Sequence, residues 1–152
     1  MALENQYPEN LIEGSNFKIE HIGIAVNNLA SANNLYAMLL NVEPYKQEDV
    51  LSEGVNTSFF KTANGSKIEL LQATNPESAI AKFIGKKGEG IHHIAFEVAD
   101  IHAEMERLKQ QGFILLSDTP KHGADNKLIC FVHPKSANGV LIELCQERRA
   151  GQ

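Results

Sequence analysis

Apolar and polar residues alternate over residues 17–26, the period of a strand with two distinct faces. Ile19, His21, Gly23 and Ala25 fall on one face. Ile22, Ile24 and Val26 fall on the other, where a helix is expected to cover them. Residues 31–40 have helical spacing, with Leu35, Met38 and Leu39 on the side expected to be buried and Asn28 or Ser31 as the cap. Pro44 ends this unit. Three more strands are predicted at residues 45–51, 55–62 and 67–73, with turns at Gly54 and at Asn64-Gly65, a hairpin dipeptide. Asn75-Pro76-Glu77 opens a short helix expected through Phe83, and residues 85–90 read as a flexible connector rich in glycine.

The pattern then starts again. Gly90-Ile91-His92-His93-Ile94-Ala95-Phe96-Glu97-Val98 has the grammar of the first strand. With His21 laid on His93, Ile22 meets Ile94, Gly23 meets Ala95, Ile24 meets Phe96 and Val26 meets Val98. A helix is predicted from Ile101 to about Gln111, stopped by Gly112. Strands follow at residues 113–116, 128–133 and 140–145, the last after a turn at Asn138-Gly139. The order is strand, helix and three strands, twice over, and such self-similarity marks a duplicated unit. The predicted fold class is α+β: tandem βαβββ repeats forming a curved mixed sheet, helices outside, around a shared concave site. Residues 1–16 read as a flexible arm, 17–147 as one domain (repeat one 17–84, repeat two 90–147) and 148–152 as a tail.

Composition narrows the function classes. A chain of 152 residues with 43% hydrophobic content has enough apolar material for one core. A net charge of -5 argues against a nucleic-acid partner, and no apolar run is long enough to span a membrane. Cys130 and Cys145 lack zinc spacing and are too few for a disulfide scaffold, so they are expected to be reduced core thiols in a cytoplasmic protein. The acidic N-terminal residues lack the charge of a secretory or mitochondrial leader.

Four residues stand out for chemistry: His21, Glu69, His93 and Glu143. Each carboxylate sits inside an apolar strand that ends its repeat, in Lys67-Ile68-Glu69-Leu70-Leu71 and Val140-Leu141-Ile142-Glu143-Leu144-Cys145. Taken singly, such a histidine is more often a hydrogen-bonded core residue, and such a glutamate an edge charge facing water. All four at equivalent places of a duplicated unit point instead to one divalent metal. Such a site suits cobalt, manganese, magnesium, nickel or zinc. Strict alternation sends His92 to the opposite face from His93, and Gln72 is a rival to Glu69 that fits the repeat less well.

These stretches, with Phe131-Val132-His133-Pro134-Lys135 leading into Gly139, resemble the vicinal oxygen chelate superfamily and, within it, the methylmalonyl-CoA epimerases. The similarity covers residues 18–146. It implies an isomerase that inverts the carbon between a carboxylate and a thioester carbonyl, through a metal-chelated enolate. It implies His21, Glu69, His93 and Glu143 as ligands, an acyl-CoA substrate and a homodimer. Some relatives carry a glutamate just after a Gly-Val pair. Here Gly54-Val55-Asn56-Thr57 puts Thr57 there, which cannot act as a base at neutral pH. Glu69 and Glu143 are therefore expected to be the catalytic acid/base pair, with Glu48 in reserve. Lys121, Lys127 and Lys135 lie where coenzyme A phosphates could be met, but lysines there are more often simply solvated. Rival readings are a glyoxalase-type lyase, an extradiol dioxygenase and a non-enzymatic drug-binding protein on the same scaffold.

Overall fold

In the computed structural model of the protein, which describes residues 7, 8 and 10–151, the first alternating stretch forms β1 (Lys18–Ala25). There follow α1 (Leu29–Leu40), β2 (Lys46–Val50), β3 (Val55–Lys61), β4 (Lys67–Ala73) and α2 (Ala79–Lys87). The second set is β5 (Gly90–Glu97), α3 (Ile101–Gln110), β6 (Lys121–Gly123), β7 (Lys127–Val132) and β8 (Ile142–Glu147). Residues 1–6 and 9 of the expected arm, and residue 152 of the expected tail, lie outside the described residues.

The eight strands form one mixed sheet in the order β2-β3-β4-β1-β5-β8-β7-β6. β1 and β5 run antiparallel at its centre, each flanked by the parallel last strand of its own repeat. The two halves are built alike in detail. Val26 N–H donates to Leu71 O and Val98 N–H to Cys145 O, each at 2.9 Å. Asn28 caps α1 by accepting from Ser31 N–H, and Asp100 caps α3 by accepting from Ala103 N–H. The Gln72 side chain accepts from Leu29 N–H at 2.6 Å, and the Gln146 side chain from Ile101 N–H at 2.8 Å. The α+β tandem repeat is thus observed. Gln72 serves a helix start and is not a site residue.

Helix α3 buries Ile101, Met105 and Leu108 on Leu128, Cys130, Val132 and Leu144. Each such side chain contributes about 1.5–3 kcal/mol on burial. Both cysteines are free and buried, as expected.

Helix α1 departs from expectation. Leu35, Met38 and Leu39 are exposed, by 53%, 78% and 68%. The sheet instead takes the stripe Leu29, Ala32, Tyr36 and Leu40, which with Val26, Phe60 and Leu70 forms the core beneath it. Helix α1 is apolar on two sides, so periodicity alone does not choose between them. The second helix starts later and ends later than predicted. Ser78 caps it by accepting from Ala81 N–H, and it runs through the expected connector to Gly88, whose φ of 76° stops it. Its first turn, Ala79 and Ile80, lines the end of the cup. Residues 113–116 make only one bridge, Leu115 with Val132, and the short edge strand is β6 instead. Pro120 and the polar residues before it end pairing until β6 begins.

Candidate active site

The two central strands place the four expected residues with a simple register. Gly23 on β1 stands opposite His93 and beside Glu69. Ala95 on β5 stands opposite His21 and beside Glu143. Each small residue leaves room for an imidazole. A Cβ at position 23 would fall 2.1 Å from His93 Cε1, so only glycine admits that ring.

The four side chains meet in a cup of about 200 Å³, and all are buried. His21 Nε2 lies 2.9 Å from His93 Nε2, 2.9 Å from Glu69 Oε2 and 3.3 Å from Glu143 Oε2. His93 Nε2 lies 3.9 Å from Glu69 Oε2 and 4.0 Å from Glu143 Oε1. Donor atoms of His21, His93 and Glu143 all lie within 4.8 Å of one another. Donors bonded at about 2.1 Å to one ion stand roughly 3–4 Å apart. The separations among His21, His93 and Glu143 match and suit a borderline divalent cation, while Glu69 meets His21 Nε2 at 2.9 Å but stands outside that three-residue group. These residues fit such a metal.

Burial governs the site's electrostatics. It disfavours charge on His21, but bonds to the Glu20 and Glu69 carboxylates outweigh this and raise the imidazole well above its ordinary value. His93 is pushed well below its ordinary value by burial and by its charged neighbour. Burial lifts the Glu143 carboxyl to about 8, only partly countered by His21.

Other expectations are corrected. His92 shares the cup with His93: its Nδ1 lies 3.0 Å from His93 Nδ1, and its ring packs edge-on against Phe83. The β1–β5 register shifts at His92, so alternation fails there. Burial lowers the His92 imidazole to about 4, keeping it neutral. Thr57 does line the cup, where its hydroxyl donates to Glu48 O at 3.4 Å. The Glu48 carboxylate is engaged elsewhere, with Lys46 at 3.1 Å and Asp125 N–H at 3.0 Å. Of the three lysines, Lys121 and Lys127 line the cup and Lys135 does not.

Three lining carboxylates, Glu20, Glu53 and Asp125, were not anticipated. Glu20, buried beside His21, bonds His21 Nδ1 and takes Lys67 Nζ at 2.5 Å. Burial works against its charge, yet these partners hold it down at about 2. Glu53 meets Lys121 at 2.7 Å, joining the two repeats at the mouth.

A sheet of paired repeats curled round histidine and carboxylate donors defines the vicinal oxygen chelate class. Residues 20–131 match the family model described as Glyoxalase/Bleomycin resistance protein/Dioxygenase superfamily. An ethylmalonyl-CoA/methylmalonyl-CoA epimerase of Cereibacter sphaeroides is 43% identical over 85% of this chain and 97% of its own. A crystal structure of methylmalonyl-CoA epimerase from Mycobacterium tuberculosis superimposes with a TM-score of 0.83 at 35% identity, covering 86% of this chain and 88% of that one. A Streptomyces coelicolor methylmalonyl-CoA epimerase variant, in complex with 2-nitronate-propionyl-CoA, gives 0.81 at 35% identity over 86% and 97%. The chain belongs to this superfamily and, within it, to the family of the methylmalonyl-CoA epimerases.

Proposed function

We propose that this chain is a metal-dependent methylmalonyl-CoA epimerase. It interconverts the (2R) and (2S) thioesters by removing the α-proton and returning it on the other face. The observation that carries this reading is the convergence of His21, Glu69, His93 and Glu143 in one buried cup. The relatives' named activity supports it.

The chemistry divides as follows. A positioned base contributes about 10²–10⁴-fold, or roughly 3–6 kcal/mol. The enolate's charge therefore needs separate stabilisation. His21, Glu69, His93 and Glu143 would hold a divalent cation, which would supply that stabilisation as a Lewis acid. The chain itself moves the proton. Glu69 comes from repeat one and Glu143 from repeat two, and they reach the same His21 nitrogen from separate strands. They are the pair assigned to the two faces of the carbon. Leu71, Ile129 and Phe131 line the cup and exclude water from the carbanion.

Cobalt is the proposed metal. Assembly as a homodimer and a cytoplasmic location belong to the same reading. The free buried thiols Cys130 and Cys145 support that location, and no helix among the described residues is long and apolar enough to cross a membrane. The test is deuterium uptake at the α-carbon of methylmalonyl-CoA in heavy water. Exchange is expected with the metal-loaded protein, lost on chelation and restored by cobalt. A metal-loaded protein that exchanges nothing would refute the reading.

A further inference from the structure

Two irregularities interrupt the central ladder. Ile19 pairs with Phe96 and His21 with Ala95, so Glu20 has no residue opposite it. Gly23 pairs with His93 and Ile24 with Ile91, so His92 has none either. The two extra residues occupy equivalent places in the repeat, each just before its histidine. A bulge breaks alternation and lets sequence neighbours share a face. Glu20 and His21 both line the cup, and so do His92 and His93.

Each extra residue touches the same atom of its histidine. Glu20 Oε2 bonds His21 Nδ1, and His92 Nδ1 lies 3.0 Å from His93 Nδ1. A neutral imidazole carries one ring proton. When Nε2 gives its lone pair to a cation, that proton sits on Nδ1 and needs an acceptor. Both acceptors are themselves braced. Lys67 Nζ bonds Glu20 at 2.5 Å and Asp125 of the β6–β7 turn at 3.0 Å. The His92 ring stands edge-on to Phe83 of α2, with centroids 5.0 Å apart.

We propose that Glu20 and His92 are paired positioning residues, each set on a bulge to take the Nδ1 proton of the next histidine and aim its Nε2 at the cation. The inference rests on the reading of His21 and His93 as metal ligands. The pair is unequal, because a carboxylate accepts more strongly than an imidazole. His21 is then the firmer donor of the two.

The test titrates cobalt(II) into the full-length metal-free chain by calorimetry, with no substrate present. Glu20→Gln is expected to weaken binding about 10–100-fold, the range for lost outer partners of metal ligands. His92→Phe, which keeps the ring packing on Phe83, should weaken it less. The proton spectrum of the cobalt-loaded protein gives the readout that general destabilisation would not. The two ligand ring N–H signals are shifted and exchangeable. Glu20→Gln should speed solvent exchange of one, and His92→Phe of the other. If Glu20→Gln does not fold, Glu20→Asp carries the first arm, with a smaller loss expected because the charge is kept. Wild-type affinity and exchange in the variants would overturn the proposal while leaving the ligand assignment standing. A wild-type chain that binds no cobalt and shows no such signals would overturn both.

Discussion

Replacing Gly23 by alanine is the smallest change expected to disable the metal site. The added Cβ would stand 2.1 Å from Cε1, 2.5 Å from Nδ1 and 2.7 Å from Nε2 of His93. Carbon contacts are comfortable only from about 3.5 Å, so the ring must retreat by roughly 1 Å or more. The His93 backbone is pinned opposite Gly23 in the ladder, and the retreat falls on the side chain. Against a metal–nitrogen bond of about 2.1 Å, that movement takes Nε2 out of the coordination sphere. Losing an outer partner costs about 10–100-fold in affinity. Losing a ligand should cost more than the upper end of that range, or upwards of about 2.7 kcal/mol. Overpacking itself costs about 1–3 kcal/mol, which a domain stable by about 5–15 kcal/mol survives. Calorimetric titration with cobalt measures the affinity. Thermal melting with and without metal gives a second reading, because a bound ligand raises the midpoint only where it binds. Wild-type affinity in the alanine variant, with the same metal-induced rise in midpoint, would refute this reasoning.

Three further outcomes are expected. Glu143→Gln and Glu69→Gln should each lower α-proton exchange by orders of magnitude while circular dichroism shows the fold intact, and full activity in either would remove its assigned role. Metal affinity should rise with pH, because burial holds the Glu143 carboxyl up to about 8 in the metal-free protein and the cation must displace that proton. His21, also raised, must give up its proton as well, and calorimetry showing no pH dependence through neutrality would contradict this. Asp125→Asn should lower the melting midpoint at neutral pH by a few degrees, about what 1 kcal/mol does in a domain of this size. Burial opposes the Asp125 charge, but Lys67 and Tyr45 outweigh it and hold the carboxyl below its ordinary value. Its contribution is therefore complete above the ordinary carboxylate range and fades as pH falls through the folded value, so the gap between variant and wild type should close in acid.

The duplication made much of this legible. Once His21 is laid on His93, the four site residues follow, because the sheet repeats the register that brings them together. Four things escaped the pattern for physical reasons. Glu20 and His92 escaped because alternation holds only in a regular ladder, and each sits where the ladder is broken. A signal was present in the chain: both are polar, both precede the histidine of their repeat, and the two positions align. The buried side of α1 escaped because its outward residues are as apolar as those facing the sheet. There, the small Ala32 lies between Leu29 and Tyr36 on the packed stripe. Strand β6 escaped because three polar or small residues at an edge carry no apolar alternation. The tie between the halves through Asp125, which meets Tyr45, Lys46 and Lys67 of repeat one, depends on tertiary closeness that no local pattern encodes.

Crystals of the chain grown with cobalt, measured on either side of the metal's absorption edge, test the central claim directly. The account predicts one anomalous peak inside the cup, bonded by Nε2 of His21 and His93 and by carboxylate oxygens of Glu69 and Glu143. A peak elsewhere, or one that leaves out either histidine, would contradict it.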